Sequence, residues 1–95
     1  MLVRLTHLYF IPSRIEDSKK IFREQIVPTV RKIDGNHNIM LLEPLDGSDV
    51  YISMSVWIDK AAADAYQDSG KYKELVDLVK DNYSKPPVLK SYNVS

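Results

Sequence analysis

The residues most able to do chemistry are one histidine and a set of aromatic side chains. His7 alternates with Leu5 and Tyr9 near the start of the chain, so the three share one face of an extended strand. An imidazole in an apolar pocket can act as a general base near neutral pH. His7 is therefore the candidate catalytic residue. The alternative is a histidine that is hydrogen-bonded in the core or at a dimer interface.

The other candidate residues would bind a small ligand. Aromatic rings with a few hydroxyl and indole donors are the usual lining of a pocket for a small, flat molecule. The candidate substrate-binding residues are Tyr9, Tyr51, Ser53, Ser55, Trp57, Tyr66 and Tyr72. The alternative is core packing, because aromatic residues at strand and helix spacing are more often structural than functional.

Composition argues against several other kinds of site. The two histidines, His7 and His37, are thirty positions apart and cysteine is absent, so we expect no metal and no cofactor bound through thiolates. Thirteen basic and thirteen acidic residues balance, which argues against nucleic acid as a partner. No apolar run is long enough to cross a membrane, and we expect a cytoplasmic protein.

The elements that position these residues follow the order βαββαβ. Strands are predicted at residues 2–11, 38–43, 50–58 and 88–94, where β-branched and aromatic residues are frequent. Apolar residues at helical spacing predict one helix over residues 14–33 and a second helical region after residue 59. This order is typical of the α+β ferredoxin-like fold, a four-stranded antiparallel sheet with both helices on one face. The length suits a single domain, residues 1–95.

Local signals define the ends of the predicted helices. Ser13 and Glu16 form a capping box before the first helix, and Gly35 can take the left-handed conformation that ends it. Pro28 lies inside this helix, where it predicts a kink.

The second helical region has its own start, break and end. Asp59 is its predicted N-cap and Ser69-Gly70 its predicted interruption. Pro86-Pro87 prevents the helix from continuing towards the last strand.

The first strand carries apolar residues on both faces. Leu2 and Leu8 fall on one side, and Val3 and Leu5 on the other. The third strand alternates aliphatic residues with Tyr51, Ser53, Ser55 and Trp57, and we expect its aliphatic face to meet the helices. An antiparallel sheet covered on one side normally has a polar second face. A first strand that is apolar on both faces therefore predicts a homodimer that covers the open side of the sheet.

Nearly the whole chain resembles a known family, and one stretch shows this resemblance most clearly. The stretch comprises Tyr51-Ile52-Ser53-Met54-Ser55-Val56-Trp57, then Asp59, Ala62, Ala65-Tyr66 and Ser69-Gly70-Lys71-Tyr72. It resembles the strand ending in tryptophan and the broken helix of the small antibiotic-biosynthesis-monooxygenase-like (ABM) domains. The resemblance implies that two copies form a dimeric α+β barrel.

The activities of this family are mixed, and the resemblance implies several. They include cofactor-independent oxygenases of quinols and polyketides, haem-degrading enzymes and an isomerase of a phosphorylated sugar. Several members carry histidine where this chain has Tyr66 and Lys71. The axial haem ligand of the haem-degrading members aligns with Val76, so we do not expect haem degradation.

The resemblance therefore implies a cofactor-independent monooxygenase that acts on a small aromatic or quinone-like molecule. In this hypothesis His7 removes a phenolic proton, while Tyr66 and Tyr72 stabilise the anion and Ser53 or Ser55 donates a hydrogen bond. Two alternatives stay open: a non-catalytic dimer that binds a small molecule, and an isomerase of a small metabolite.

Overall fold

The computed structural model describes residues 1–47 and 50–95. The elements in chain order are β1 (Leu2–Phe10), α1 (Ile15–Ile21), a π-helical turn (Phe22–Ile26), α2 (Val27–Arg31), β2 (Asn36–Leu42), β3 (Val50–Trp57), α3 (Lys60–Asp68), α4 (Lys71–Asp77) and β4 (Tyr83–Asn93). Short 3₁₀ turns lie at Pro12–Arg14 and Lys80–Asn82. The predicted element order is confirmed.

The described strands form one antiparallel sheet in the order β2-β3-β1-β4. The core lies between one face of this sheet and the helices, where Leu2 of β1 packs with Phe22 and Leu75. A second cluster joins Phe10 at the other end of β1 to Val79. The chain thus has the expected ferredoxin-like α+β fold, with both helical regions on the same side of the sheet.

The other side of the sheet, here called the open face, is largely apolar. Strand register places on it Val3, Leu5, His7 and Tyr9 of β1, Met40 and Leu42 of β2, Ile52, Met54 and Val56 of β3, and Val88, Lys90 and Tyr92 of β4. Several of these apolar side chains are more than a third exposed in the single chain. The prediction that β1 is apolar on both faces is confirmed, and the helices leave its second face uncovered.

The prediction for the faces of β3 was wrong. Its aliphatic residues lie on the open face, because Met54 is paired with Leu5 and paired residues point to the same side of a sheet. Ser55 and Trp57 pair instead with the helix-facing Arg4 and Leu2. The physical reason is volume, since the fully buried Trp57 ring fills the space between sheet and helices.

The first helical region differs from the prediction at its start and its centre. Ser13 lies in a 3₁₀ turn, and α1 begins at Ile15 with no side-chain cap, so the predicted capping box is wrong. The sequence predicts a kink at Pro28; the structure has a π-helical turn just before it, in which the Val27 N–H donates to the Phe22 carbonyl. Pro28 lacks an N–H and crowds the preceding turn, and such a bulge relieves that crowding. Thr29 Oγ1 donates to the Gln25 carbonyl at 2.7 Å.

The last strand is longer than predicted. It begins at Tyr83 and includes Pro86 and Pro87, where its pairing with β1 is irregular between the partners of His7 and Tyr9. Proline is tolerated here because β4 is an edge strand and the irregularity requires no N–H from either residue.

The predicted features around the second helical region are confirmed. Asp59 accepts a hydrogen bond from the Ala62 N–H at 2.8 Å and so caps α3. Gly70, with φ of 83°, separates α3 from α4. Residues 44–49 contain the glycine and aspartates typical of a hairpin connection, but Ser48 and Asp49 lie outside the described residues. The antiparallel pairing of β2 with β3 is confirmed.

Gly35 is a position where only glycine fits. Its φ is 84°, its carbonyl accepts from the Ile58 N–H, and a Cβ there would collide with the Ala62 side chain. Gly35→Ala should therefore lower the free energy of unfolding by about 2–4 kcal/mol, as the sum of left-handed strain and overpacking. Urea denaturation measures the change.

Gly70→Ala is the matched control for this variant. Gly70 has nearly the same φ, but a Cβ there meets nothing within 4 Å. It should cost only the conformational part, about 1–2 kcal/mol. Equal losses in the two variants would refute the role of the contact with Ala62.

No helix among the described residues is long and apolar enough to cross a membrane.

Candidate functional site

The sheet divides the eight residues predicted to form a site. His7 and Tyr9 lie on the open face. The other six lie on the helix side of the sheet: Tyr51, Ser53, Ser55 and Trp57 on β3, Tyr66 on α3 and Tyr72 on α4. A single chain therefore does not bring His7 together with the tyrosines that were expected to hold the substrate.

A cavity lies between the sheet and the helices. Its volume, measured as the space open to the centre of a water molecule, is about 40 Å³. Its described lining includes four of the predicted residues, Ser53, Ser55, Tyr66 and Tyr72. Pockets for small molecules typically measure several hundred Å³, so an aromatic ligand would fit here only if the lining side chains moved apart.

An aromatic wall bounds one side of this region. The Tyr66 ring stacks on Trp57 with centroids 4.9 Å apart and meets the edge of Tyr72 at 6.0 Å. The Trp57 Nε1–H donates to Ser55 Oγ at 2.9 Å, which fixes the orientation of the indole. Trp57 itself supports the wall from behind and is not part of the described lining.

Hydroxyl groups converge on the same space from the sheet. Thr6 of β1 and Ser53 of β3 are paired across the strands and both line the cavity. A side-chain hydrogen bond between Thr6 and Tyr72 lowers the pKa of Tyr72, although burial, the larger effect, raises it overall. These groups give the cavity donors and acceptors for an oxygen-bearing ring.

Sequence reasoning missed Arg4. Its side chain is only 6% exposed, and it lines the cavity from the helix-facing side of β1. Nη1 donates to the Ala63 carbonyl at 3.0 Å and to Gln67 Oε1 at 2.9 Å, while Nη2 donates to Asp64 Oδ1 at 2.8 Å. The signal was present in the sequence, because Arg4 alternates with Leu2 and Leu8 on a face that is otherwise directed to the core.

His7 occupies the centre of the open face. It is paired with Ile52 on one side and with Val88 on the other. Its Nδ1 atom is buried, and no hydrogen-bond partner for it is present among residues 1–47 and 50–95. A buried polar atom of this kind normally finds a partner, so the position fits the alternative of a histidine at a dimer interface.

Two of the predicted ligand-binding tyrosines have other neighbours. Tyr9 lies on the open face with Lys85 Nζ 4.3 Å from the centre of its ring, a cation–π contact. Tyr51 lies on the helix side but packs against Phe10, with ring centroids 5.5 Å apart. Neither is among the described residues that line the cavity.

Burial raises the pKa of three tyrosines in this region: Tyr66, Tyr72 and Tyr83. For Tyr66, the neighbouring Tyr72 raises the pKa further and the Arg4 charge lowers it in part. All three hydroxyl groups therefore keep their protons near neutral pH and act as neutral donors.

This shift predicts a loss of stability at alkaline pH. The stabilisation is fully present below the ordinary tyrosine pKa of about 10. Above it the unfolded chain releases protons that the folded chain retains, so the free energy of unfolding falls as pH rises. Tyr66→Phe should reduce this slope by up to about 1.4 kcal/mol per pH unit in urea titrations between pH 8 and 11.5.

Phe22→Leu provides the control for that measurement. Phe22 is a buried residue that lines the same cavity, and it has no titrating group. The variant should have lower stability but the same pH slope as the wild type. An unchanged slope in Tyr66→Phe would contradict the role given to burial.

Among residues 1–47 and 50–95, no three histidine, aspartate or glutamate side chains lie close enough together to hold a metal ion.

Comparison with solved structures identifies the fold. A structure described as an antibiotic biosynthesis monooxygenase matches with a TM-score of 0.82 and 18% identity, over 100% of this chain and 99% of that one. A conserved protein from Methanosarcina mazei Go1 matches with a TM-score of 0.82 and 17% identity, over 100% and 94% of the two chains. A Mycobacterium tuberculosis protein matches with a TM-score of 0.82 and 15% identity, over 99% and 94%. At these identities the likeness is one of fold.

Comparison at the level of sequence gives the family. No curated protein sequence matches the chain significantly. The family model described as antibiotic biosynthesis monooxygenase matches residues 1–78, which include β1, both helical regions and the aromatic wall. The chain therefore belongs to the antibiotic biosynthesis monooxygenase (ABM) family.

Proposed function

We propose that this protein is a cofactor-independent monooxygenase that binds a small aromatic or quinone-like molecule in the cavity between sheet and helices. The observation that carries the proposal is the cavity lining, in which the aromatic rings of Tyr66 and Tyr72 lie beside the hydroxyls of Thr6 and Ser53. Membership of the ABM family supports the reaction class.

The reaction requires the substrate to supply the electrons. For a phenol with a hydrogen on the para ring carbon, loss of the phenolic proton gives an electron-rich anion that reacts with O₂ at that carbon. One oxygen atom forms a new C=O group, the phenolic C–OH becomes the second C=O group of a quinone, and the other oxygen atom leaves as water with the para hydrogen and the phenolic hydrogen. The four electrons lost by the ring reduce O₂ completely, so no further reductant is needed. The protein would bind the substrate, exclude water and stabilise the anion.

Binding without catalysis is the second candidate function, and one observation favours it. The described residues that line the cavity include no carboxylate and no imidazole. His7, the base expected from the sequence, lies across the sheet from this cavity. The tyrosines of the lining stay protonated near neutral pH, so they cannot act as bases. A protein with this lining can bind an aromatic molecule without transforming it.

Oxygen uptake separates the two functions. Purified protein with a chelator present should increase O₂ consumption at least tenfold over autoxidation for a panel of dihydroxynaphthalenes that keep a hydrogen para to one hydroxyl group. Ser53→Phe places a ring in the cavity and should abolish the increase. Ser13→Phe is the control, because Ser13 is exposed in a 3₁₀ turn away from the cavity lining.

Two results decide the outcome. His7→Ala should leave the uptake largely unchanged if the cavity is the site, and a complete loss would return the catalytic role to His7. Thermal stabilisation by the same quinols without any protein-dependent uptake would establish the binding function instead.

We also propose that the active species is a homodimer in which the open face of each copy covers that of the other. The support is the apolar character of this face and the exposure of Met40, Leu42 and Val88 in the single chain. A symmetric partner would also bring a second set of polar atoms to His7 Nδ1. Such a pair is the dimeric α+β barrel expected from the resemblance.

A further inference from the structure

Arg4 has one hydrogen-bonding position that its neighbours leave unused. Its two terminal nitrogens are satisfied by α3, through Ala63, Asp64 and Gln67. Its Nε atom is buried and has no acceptor among the described residues. Leaving a charged donor unpaired in the interior is costly, so an arginine that is 94% buried beside a cavity points to an acceptor supplied by a ligand.

The charges around Arg4 do not cancel. Asp64 is shared between two cations, since Oδ1 accepts from Arg4 at 2.8 Å and Oδ2 from Lys60 at 2.5 Å. The hydrogen bond from Lys60 lowers the pKa of Asp64 most, and that from Arg4 lowers it further, so Asp64 is ionised at neutral pH. Two positive charges against one negative leave the cluster with a net charge of +1.

The rest of the cavity lining is neutral. Apart from Arg4, the described lining consists of apolar, hydroxyl and phenol side chains. The phenols of Tyr66, Tyr72 and Tyr83 stay protonated because burial raises their pKa. An anion that entered would meet one cation and several donors, and no described carboxylate within the lining would repel it.

We propose that the cavity binds its aromatic ligand as an oxyanion, a phenolate or enolate, whose oxygen accepts the Arg4 Nε–H. The inference rests on the proposed function for the location of the ligand, and adds its charge state and the residue that recognises it. Binding of the ligand as an anion also explains how the site can work although its described lining contains no base. A site that favours the anion lowers the pKa of the bound phenol, so the proton can pass to water during binding without a dedicated acceptor.

A phenol that reports its own ionisation tests this proposal. The probe is 4-nitro-1-naphthol, whose neutral and ionised forms absorb at different wavelengths, titrated against an excess of protein in the absence of oxygen. Wild-type protein should lower the ionisation midpoint of the bound probe by at least one pH unit. A shift of one unit means that the protein binds the ionised probe tenfold more tightly than the neutral probe. Arg4→Met should bind the probe with no such shift.

Two further variants complete the design. Lys60→Met removes an equal charge from the same cluster at a largely exposed side chain outside the lining, and should retain most of the shift. If Arg4→Met does not fold, Asp64→Asn replaces it. That variant raises the cluster charge to +2 and should tighten binding of the anion at least threefold.

The outcomes are distinct from those of the oxygen-uptake experiment. No downward shift with wild-type protein, an equal shift in Arg4→Met, or anion binding that is unchanged or weaker in Asp64→Asn would each overturn the oxyanion proposal. Oxygenation could still be correct in those cases. Conversely, a shift that depends on Arg4 without any O₂ uptake would support the oxyanion site and refute the oxygenase.

Discussion

Ile52→Lys should convert the proposed homodimer to a monomer. Ile52 is paired with His7 at the centre of the open face, surrounded by aliphatic residues of β1 and β3. A symmetric partner would bury both copies of the new ammonium group without a counter-ion, and an unpaired buried charge costs about 3–5 kcal/mol. The dissociation constant should therefore rise by a factor on the order of 10² to 10³ or more.

Sedimentation equilibrium over micromolar concentrations measures this change. Ala61→Lys is the matched control, because Ala61 is exposed on α3, on the other side of the sheet. It should dimerise as the wild type does, and circular dichroism should show that both variants are folded. A monomeric wild type, or an Ile52→Lys protein that still dimerises with wild-type affinity, would refute the open face as the interface.

Trp57→Ala should cause the largest loss of stability of any variant considered. The indole is fully buried, stacks on Tyr66 and donates its N–H to Ser55. Removing the indole leaves a large cavity and leaves the aromatic wall without support. Truncation of a buried aromatic residue typically lowers the free energy of unfolding by about 3–5 kcal/mol. Because the total free energy of unfolding of small domains is only about 5–15 kcal/mol, a substantial fraction of the variant should be unfolded near 37 °C.

The neighbouring residue provides the control for that experiment. Ile58 is 53% exposed, so Ile58→Ala should change the free energy of unfolding by less than about 1 kcal/mol. Urea denaturation of both variants gives the comparison. A loss below about 1.5 kcal/mol for Trp57→Ala would show that the neighbouring core can collapse around the missing ring and that the wall does not depend on it.

The fold could be predicted from local patterns. Alternation in β1 and β3, the left-handed conformation at Gly35 and the helix interruption at Ser69-Gly70 depend on short-range chemistry, and the structure confirms each of them. The missing capping box shows the limit of such signals. Ser13 has the right spacing from Glu16, but it lies inside the 3₁₀ turn Pro12–Arg14 and does not cap the helix.

The candidate site could be predicted only in part, because its assembly depends on register. Alternation shows that the residues of β3 divide into two sets, but not whether the aliphatic set or the set of aromatic and hydroxyl residues faces the helices. Pairing of Trp57 with Leu2 decides that question, and it also separates His7 from Tyr66. Arg4 was not predicted as a site residue, because a single charged side chain in a strand is usually solvated. Here its guanidinium donates to Asp64 of α3, which is distant in sequence.

The two prolines of β4 have a consequence for solubility. An exposed strand edge offers a row of N–H and C=O groups onto which another chain can add, and this is a common route to aggregation. Pro86 and Pro87 lie side by side in the outermost strand, at a point where its pairing with β1 is already irregular. Neither residue has an N–H to offer, so an incoming strand meets a break in the row of donors. This edge is thus protected against fibrous growth, while the flat surface of the sheet stays available for specific contact.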